Sequence, residues 1–336
     1  VLKLAREYAT TQPSFIRIGN GLQHHDNGGM CVRNIACLPA LTGAWRHRGG
    51  GALKSNGGYH AWNEEAVLRP DLRPCKSRLI NMNELGKALT EVDDPPVRAL
   101  YVWNTNPAAV APNQGKVIAG FKREDLFMAV HDIVLTDTCR YADVVLPATT
   151  AWEHTDLYYS YWHLNMALAE PAIAAVGQAK PNHEVFRLLA QAMGYDEPCF
   201  FDSEEDIIRQ ALAGHGNPCL DGISYERLAA EHVVTLNKPH KHQPFTEFYS
   251  ARMAEDGYDP LPAWMPMHEP DDLGLTLITP PNHHFLNSTL ANVEVLQVKE
   301  RRPTLQISAL DAAVRGIADG DLVCARNKRC LLYTSD

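Results

Sequence analysis

Three apolar runs constrain this chain more than anything else in it, because each breaks off into residues that end a strand at a polar edge. Ala99-Leu-Tyr-Val-Trp103 stops at Asn104-Thr-Asn106-Pro107, Leu126-Phe-Met-Ala-Val130 at His131-Asp132, and Ala142-Asp-Val-Val-Leu-Pro147 at its proline. Between the first two, Lys116 to Asp125 can form a surface helix; ahead of the third, Thr136-Asp137-Thr138 can cap a short one. Strands that alternate with helices favour parallel pairing in a doubly wound sheet, which binds ligands outside the strands' C-terminal ends. The same order occurs earlier. Phe15-Ile-Arg-Ile18 reads as a short buried strand that runs into Gly19-Asn-Gly21, and a polar loop to Gly29 leads into a helix from Met30 to about Thr42. The loops at 19–29, 104–107 and 131–137 are therefore the edges on which chemistry is expected.

Outside these runs the chain opens on a helix, Val1 to Thr10, and residues 63–96 form a polar, proline-spotted connection. Helices are expected at Asn182–Met193 and Ser203–Leu212, each opening on a capping residue, the second with the capping box Ser203-x-x-Asp206. The stretch 232–272, rich in His, Pro and acidic residues, reads as linker or surface loop. From Leu275 short strands (Leu275–Ile278, Thr304–Ile307, Leu322–Cys324) between Pro, Asn and Gly turns predict a small β-rich domain.

At 336 residues the chain can hold two or three domains. A net charge of −9 argues against a general nucleic-acid surface. It leaves room for an anionic ligand, since backbone N–H groups bind phosphate without basic side chains. No run approaches the roughly 20 apolar residues of a membrane helix. The eight cysteines form no C-x-x-C pair. They read as reduced and mostly buried, so a zinc or iron–sulfur site built from this chain alone is not expected.

Candidate site residues follow from the loops. Gly19 and Gly21 allow positive φ and close approach of a ligand, and Gln23, His24, His25 and Asn27 supply donors and acceptors; a tight turn with solvated polar residues is the alternative. Gly49-Gly50-Gly51 is either a phosphate cradle or a flexible loop. Asn104 and Asn106 stand at a strand end, with Pro107 pre-set for the first turn of a helix; an Asx-turn cap explains them equally well. Asp132 can accept two N–H bonds from a guanine or cap a surface helix. Asp137 reads as a cap, and Asp143 as support for a turn or adjacent helix. Thr279 to Thr289 crowds hydrogen-bonding groups, Asn287 and Ser288 among them, into one loop.

Taken in order, these stretches resemble the molybdopterin oxidoreductase family of the dimethyl sulfoxide reductase type. The resemblance is carried by Gly19-Asn-Gly-Leu-Gln-His-His25, Leu41-Thr-Gly with Gly49–Gly51, and Trp103-Asn-Thr-Asn-Pro107. Above all it rests on Thr136-Asp-Thr-Cys-Arg-Tyr-Ala-Asp-Val-Val-Leu-Pro147 with Glu153, and it continues in Leu286-Asn-Ser-Thr289 and Asp311–Asp321. It implies two pterin guanine dinucleotides around one Mo or W, moving two electrons, often with an oxygen atom, between a small-molecule substrate and a redox partner such as an electron-transfer subunit. It places Gly19, Gly21, Gln23, His24, Gly50 and Gly51 near the pterin end. Asn104, Asn106, Pro107 and Asp132 would lie at the guanosine diphosphate of one cofactor, and Asn287 and Ser288 against a pterin or phosphate.

The resemblance also divides the chain: 1–70 as the end of one α/β domain, 71–265 as a second, dinucleotide-binding one, and 273–329 as a partial C-terminal β-barrel. Residues 330–336 resemble a translated sequencing-adapter tail. A 4Fe–4S cluster and the metal's protein ligand are expected upstream of these residues, the fragment alone is expected to be inactive, and the cytoplasm is the expected location, with the periplasm as alternative. A hydratase or transhydroxylase with the same cofactor, or an electron-transfer subunit that has lost its pterin, are the rival readings.

Overall fold

The structure, a computed structural model, describes residues 1–73, 75–161, 163–238, 246–267, 274–300, 303–326 and 331–333. Residue 330 and residues 334–336 of the expected tail lie outside the described residues, as does the stretch 327–329 at the end of the expected barrel. The strands are β1 (Phe15–Arg17), β2 (Gly51–Leu53), β3 (Ala99–Trp103), β4 (Phe127–Asp132), β5 (Val144–Pro147), β6 (Asp156–Tyr159), β7 (Asn165–Ala169), β8 (Val233–Thr235), β9 (Cys324–Arg326) and β10 (Leu331–Tyr333). They fall into two compact units. The first comprises residues 1–69, 156–169 and 203–277, the second 70–155, 170–202 and 278–336. The contiguous block 71–265 does not follow this division, because 156–169 and 203–277 fold with the first unit.

In the second unit β3, β4 and β5 form a parallel sheet in that order, with Trp103 opposite His131 and Asp132 opposite Pro147. Its apolar residues alternate in orientation, so each face can be covered separately. Val102, Met128 and Val130 pack into one core with Leu89, Ala108, Val117 and Phe121 of the helices Leu85–Glu91, Pro107–Val110 and Gln114–Phe121. Tyr101 and His131 instead meet Phe186 of the helix Asn182–Ala192. The sheet is thus covered by helices on both faces.

One helix end and one cap depart from expectation in ways the hydrogen bonding explains. The helix placed at Lys116–Asp125 runs from Gln114 to Phe121, because the Arg123 N–H turns back to Gly120 O and Arg123 then pairs with Asp125, steering the chain into β4. Asn182 does not cap its helix: extended Pro181 occupies the cap position and Asn182 is already the first helical residue.

In the first unit β1 and β2 pair in parallel, Phe15 opposite Gly51, with the helix Gly28–Thr42 in the connection between them. β6, β7 and β8 form an antiparallel sheet. Met166 and Leu168 of β7 pack with Ile208, Leu212, Leu228 and Val234 to make this unit's core. The helix Glu204–Leu212 opens on the expected capping box: Ser203 Oγ accepts from Asp206 N at 3.2 Å, and Asp206 Oδ2 accepts from Ser203 N at 3.0 Å.

The β-rich last third is corrected. Leu275–Ile278 and Thr304–Ile307 form no strand, and the region instead holds the helices Glu294–Glu300 and Ala309–Val314 with the single antiparallel pair β9–β10. A run of three or four residues becomes a strand only when a neighbour pairs its N–H and C=O groups, and a lone hairpin is marginal. These runs have no such neighbour among the described residues, where no closed barrel forms. Among the described residues no helix is long and apolar enough to cross a membrane.

Candidate functional site

Each unit carries its own parallel strand ends and its own group of the sequence-predicted residues. In the first unit the ends of β1 and β2 are tied by Arg17, whose Nη1 donates to Ile18 O, to Leu53 O at 3.1 Å and to Lys54 O at 2.7 Å. The sequence reading passed over this arginine, although a cation inside an apolar strand is a signal of such a tie. Beyond it Asn20–Gln23 coils into one tight turn. Gly19 there has φ −77° and Gly21 is not in the left-handed region, so neither uses the positive φ expected of it. A Cβ at either would meet open space, which leaves the backbone accessible. Gln23 Oε1 is buried and has no hydrogen-bond partner among the described residues, while His24 and His25 are exposed. Asn27 Nδ2 donates to Met265 O at 3.0 Å.

Gly50 and Gly51 have a packing reason to be glycine. A Cβ on Gly50 would sit 2.2 Å from Ala44 O, and Gly51, at φ +117°, would press its Cβ 2.5 Å from the Trp45 ring.

In the second unit Asn104 sits at φ +56°, exposed, and its N–H donates to His131 O at 3.1 Å. Asn106 is 6% exposed and its amide turns inward. Its Oδ1 accepts from Thr138 N (3.2 Å) and Thr138 Oγ1 (2.7 Å), and its Nδ2 donates to Asp137 Oδ2 (3.1 Å). Asn106 therefore clamps the loop after β3 to the turn Asp137–Tyr141, with buried Pro107 starting the next helix. Asp137 is not the cap expected of it: the turn begins at Thr136 without a side-chain cap, and the Asp137 carboxylate is engaged by Asn106. Asp132 ends β4 and accepts from Ile133 N at 2.7 Å through Oδ1. Asp143 supports a strand rather than a turn or helix: its Oδ2 accepts from Met128 N at 2.7 Å.

Asn287 (φ +51°) and Ser288 form the corner of a tight turn closed by two backbone bonds between Leu286 and Thr289. Ser288 and Asn106 line one depression of about 290 Å³, together with Asp137, Arg140, Asn292 and Gln297. Asn104, Asp132 and Asn287 are not among its lining residues. Arg140, Asn292 and Gln297 were missed from sequence; Arg140 alone left a signal, as a cation inside the Thr136–Pro147 stretch.

Glu153, the last residue of that stretch's motif, stitches loops. Its Oε2 accepts from the Thr150 hydroxyl and N–H, each at 2.7 Å, and its Oε1 from Val176 N at 2.7 Å. The Thr150 hydroxyl foremost, then the two N–H groups, holds its carboxyl below the usual range. The described cysteines are free thiols, and of these Cys219 is buried, Cys75 and Cys324 exposed and the others half-buried, fewer interior thiols than expected. Among the described residues no three His, Cys, Asp or Glu side chains gather to hold a metal ion.

Structure and site thus define an α/β protein with polar loops at the ends of parallel strands. The sequence profile described as Molybdopterin oxidoreductase matches residues 2–192, and that described as Molydopterin dinucleotide binding domain matches residues 275–331. The chain belongs to the molybdopterin oxidoreductase family. Its relatives include a Bacillus subtilis protein named Probable oxidoreductase YoaE, 47% identical over 98% of this chain and 50% of its own length. The dimethyl sulfoxide/trimethylamine N-oxide reductase of Rhodobacter capsulatus is 27% identical over 94% of this chain and 42% of its own, and Escherichia coli dimethyl sulfoxide reductase DmsA 26% over 98% and 47%. The chain therefore spans about half the length, or less, of these curated relatives. Acetylene hydratase from Pelobacter acetylenicus shares the fold, at TM-score 0.54 and 19% identity, over 80% of this chain and 39% of that one.

Proposed function

We propose that this chain supplies part of the protein cradle for a Mo- or W-bis(molybdopterin guanine dinucleotide) group in an oxidoreductase acting on a small molecule. The observation that carries the reading is the depression in the second unit, where Asn106 and Ser288 meet Asp137, Arg140, Asn292 and Gln297. Its chemistry fits the phosphates of a nucleoside diphosphate: a guanidinium and amide N–H groups suit phosphate oxygens, while the Asp137 carboxylate is already engaged by Asn106. In this reading Arg140, Asn292 and Ser288 bind phosphate, with Asn287 beside them, and Asp132 and Asn104 hold the guanosine end beyond Pro107. Asn106 contributes by fixing the loop, since its own amide is engaged. In the first unit, taken by itself, Gly19, Gly21, Gln23, His24, Gly50 and Gly51 are assigned to pterin binding; the open backbone at Gly19 and Gly21 and the unpartnered Gln23 Oε1 support this assignment.

When bound, the group supplies two-electron redox or oxygen-atom transfer. The residues of this chain bind it, orient it and keep its charged diphosphate paired. The metal's own protein ligand, a 4Fe–4S cluster and an electron-accepting subunit belong to the whole protein in this reading, which places it in the cytoplasm. Metal analysis and nucleotide release test it. About one Mo or W per protein is expected, with guanine nucleotide freed on denaturation. Purified full-length protein holding neither metal and no guanine nucleotide would overturn the reading.

A further inference from the structure

His131 is the last but one residue of β4, the central strand of the parallel sheet, and it is fully buried. Its Nδ1 lies 3.1 Å from the Tyr101 hydroxyl on β3. Its Nε2 is buried and without a hydrogen-bond partner among the described residues. Around the pair stands an aromatic layer: Phe186 lies 5.4 Å from the Tyr101 ring, 5.1 Å from Trp103 and 6.4 Å from His131. The same residue touches both candidate guanosine-binding positions, since His131 O accepts from Asn104 N and Asp132 follows it in the chain.

We propose that His131 and Tyr101 form a proton-sensitive brace that positions Asn104 and Asp132 for the guanosine end of a nucleotide, the brace holding only while the imidazole is neutral. The inference rests on the cofactor reading above and adds a positioning residue and a pH response to it. With its proton on Nδ1, the neutral imidazole donates to the Tyr101 oxygen and leaves only a lone pair, not an N–H, without a partner at Nε2. A protonated ring carries two N–H donors, and the second, at buried Nε2, has no partner among the described residues, where an unpaired buried charge is costly.

Among the described residues no carboxylate is hydrogen-bonded to His131. β3 contributes Tyr101, β5 places Leu146 opposite it, the helix Asn182–Ala192 contributes Phe186, and that helix's Glu184 is paired with Lys180. Asp132 is the charge that acts on it, but successive side chains in a strand point to opposite faces. A cationic His131 can reach that carboxylate only by twisting the strand end, which breaks the bond from Asn104 and draws Asp132 away from a ligand. Burial accordingly pushes the imidazole below its ordinary 6.5, with Asp132 opposing in part.

The test uses GDP as probe and the full-length protein freed of cofactor. Affinity measured calorimetrically from about pH 7.5 down to 5 is expected to hold at neutral pH. It then weakens, by up to about tenfold per pH unit, once the buried imidazole begins to take up a proton. His131→Gln is expected to flatten this profile, and Tyr101→Phe, which keeps the ring against Phe186, to shift its midpoint. GDP is also expected to lower the pH at which the His131 ring nitrogens take up a proton, read from their 15N shifts. That readout stands even where the glutamine variant does not fold, and a purely structural histidine would not move it. A midpoint unchanged by GDP, or the wild-type profile persisting in both variants, overturns the brace alone. No GDP binding at any pH overturns the cofactor reading and the brace together.

Discussion

Asn106 spends three hydrogen bonds inside the protein, and that decides what its loss does. Removing the amide leaves buried Thr138 N–H and hydroxyl groups unpaired, at a cost of about 1–3 kcal/mol. Asn106→Ala should therefore lower the urea midpoint of unfolding as well as weaken nucleotide binding. Arg140 is exposed and outside that clamp, so Arg140→Ala should leave the urea midpoint in place and weaken GDP binding about tenfold, roughly 1.4 kcal/mol. Equal GDP affinities for that variant and the wild type would remove Arg140 from the phosphate site. Glu153 has its carboxyl held below its ordinary value. It thus contributes stability that is fully present above the unfolded value of about 4.3 and is lost as pH falls through the lower, folded one. Glu153→Gln should flatten the acid limb of the thermal midpoint against pH, which melting curves between pH 3 and 6 would show.

Among the elements, the helices Leu85–Glu91 and Gln114–Phe121 approach closely through glycine. A Cβ on Gly120 would lie 2.5 Å from Leu89 Cβ, an atom that cannot swing aside. Gly120→Ala gains about 1 kcal/mol of helix propensity but incurs overpacking of about 1–3 kcal/mol, so a net loss is expected in chemical denaturation. Element identity was legible wherever a local rule dominates. The run Ala99–Trp103 is a strand as read, and Ser203-x-x-Asp206 makes the capping box its spacing announces, because both are settled within a few residues. The runs at 275 and 304 failed because a strand is a property of a pair. Asp137 failed because a distant amide, Asn106, engaged its carboxylate.

For the whole molecule, the first unit is assembled from three chain segments. Met166 and Leu168 on β7 are covered by Ile208, Leu212, Leu228 and Val234. A chain ending at residue 202 leaves that face bare. It should lose the cooperative unfolding transition of this unit, seen as lost amide protection in β6 and β7 by hydrogen exchange; retained protection there would show that the later segment is dispensable.

By itself the sequence determined the alternation of strands and helices, the polar loops at the strand ends and, through the order of its motifs, the family. These depend on residue type and short spacing, which local physics reads directly. Only the tertiary structure decided that β7 pairs with β8, Asn165 opposite Thr235, that Asn106 turns its amide inward, and that Ser288 joins it around one depression. Those outcomes depend on groups 30 to 180 residues apart finding partners for buried N–H, C=O and apolar surface, and no local pattern carries that information.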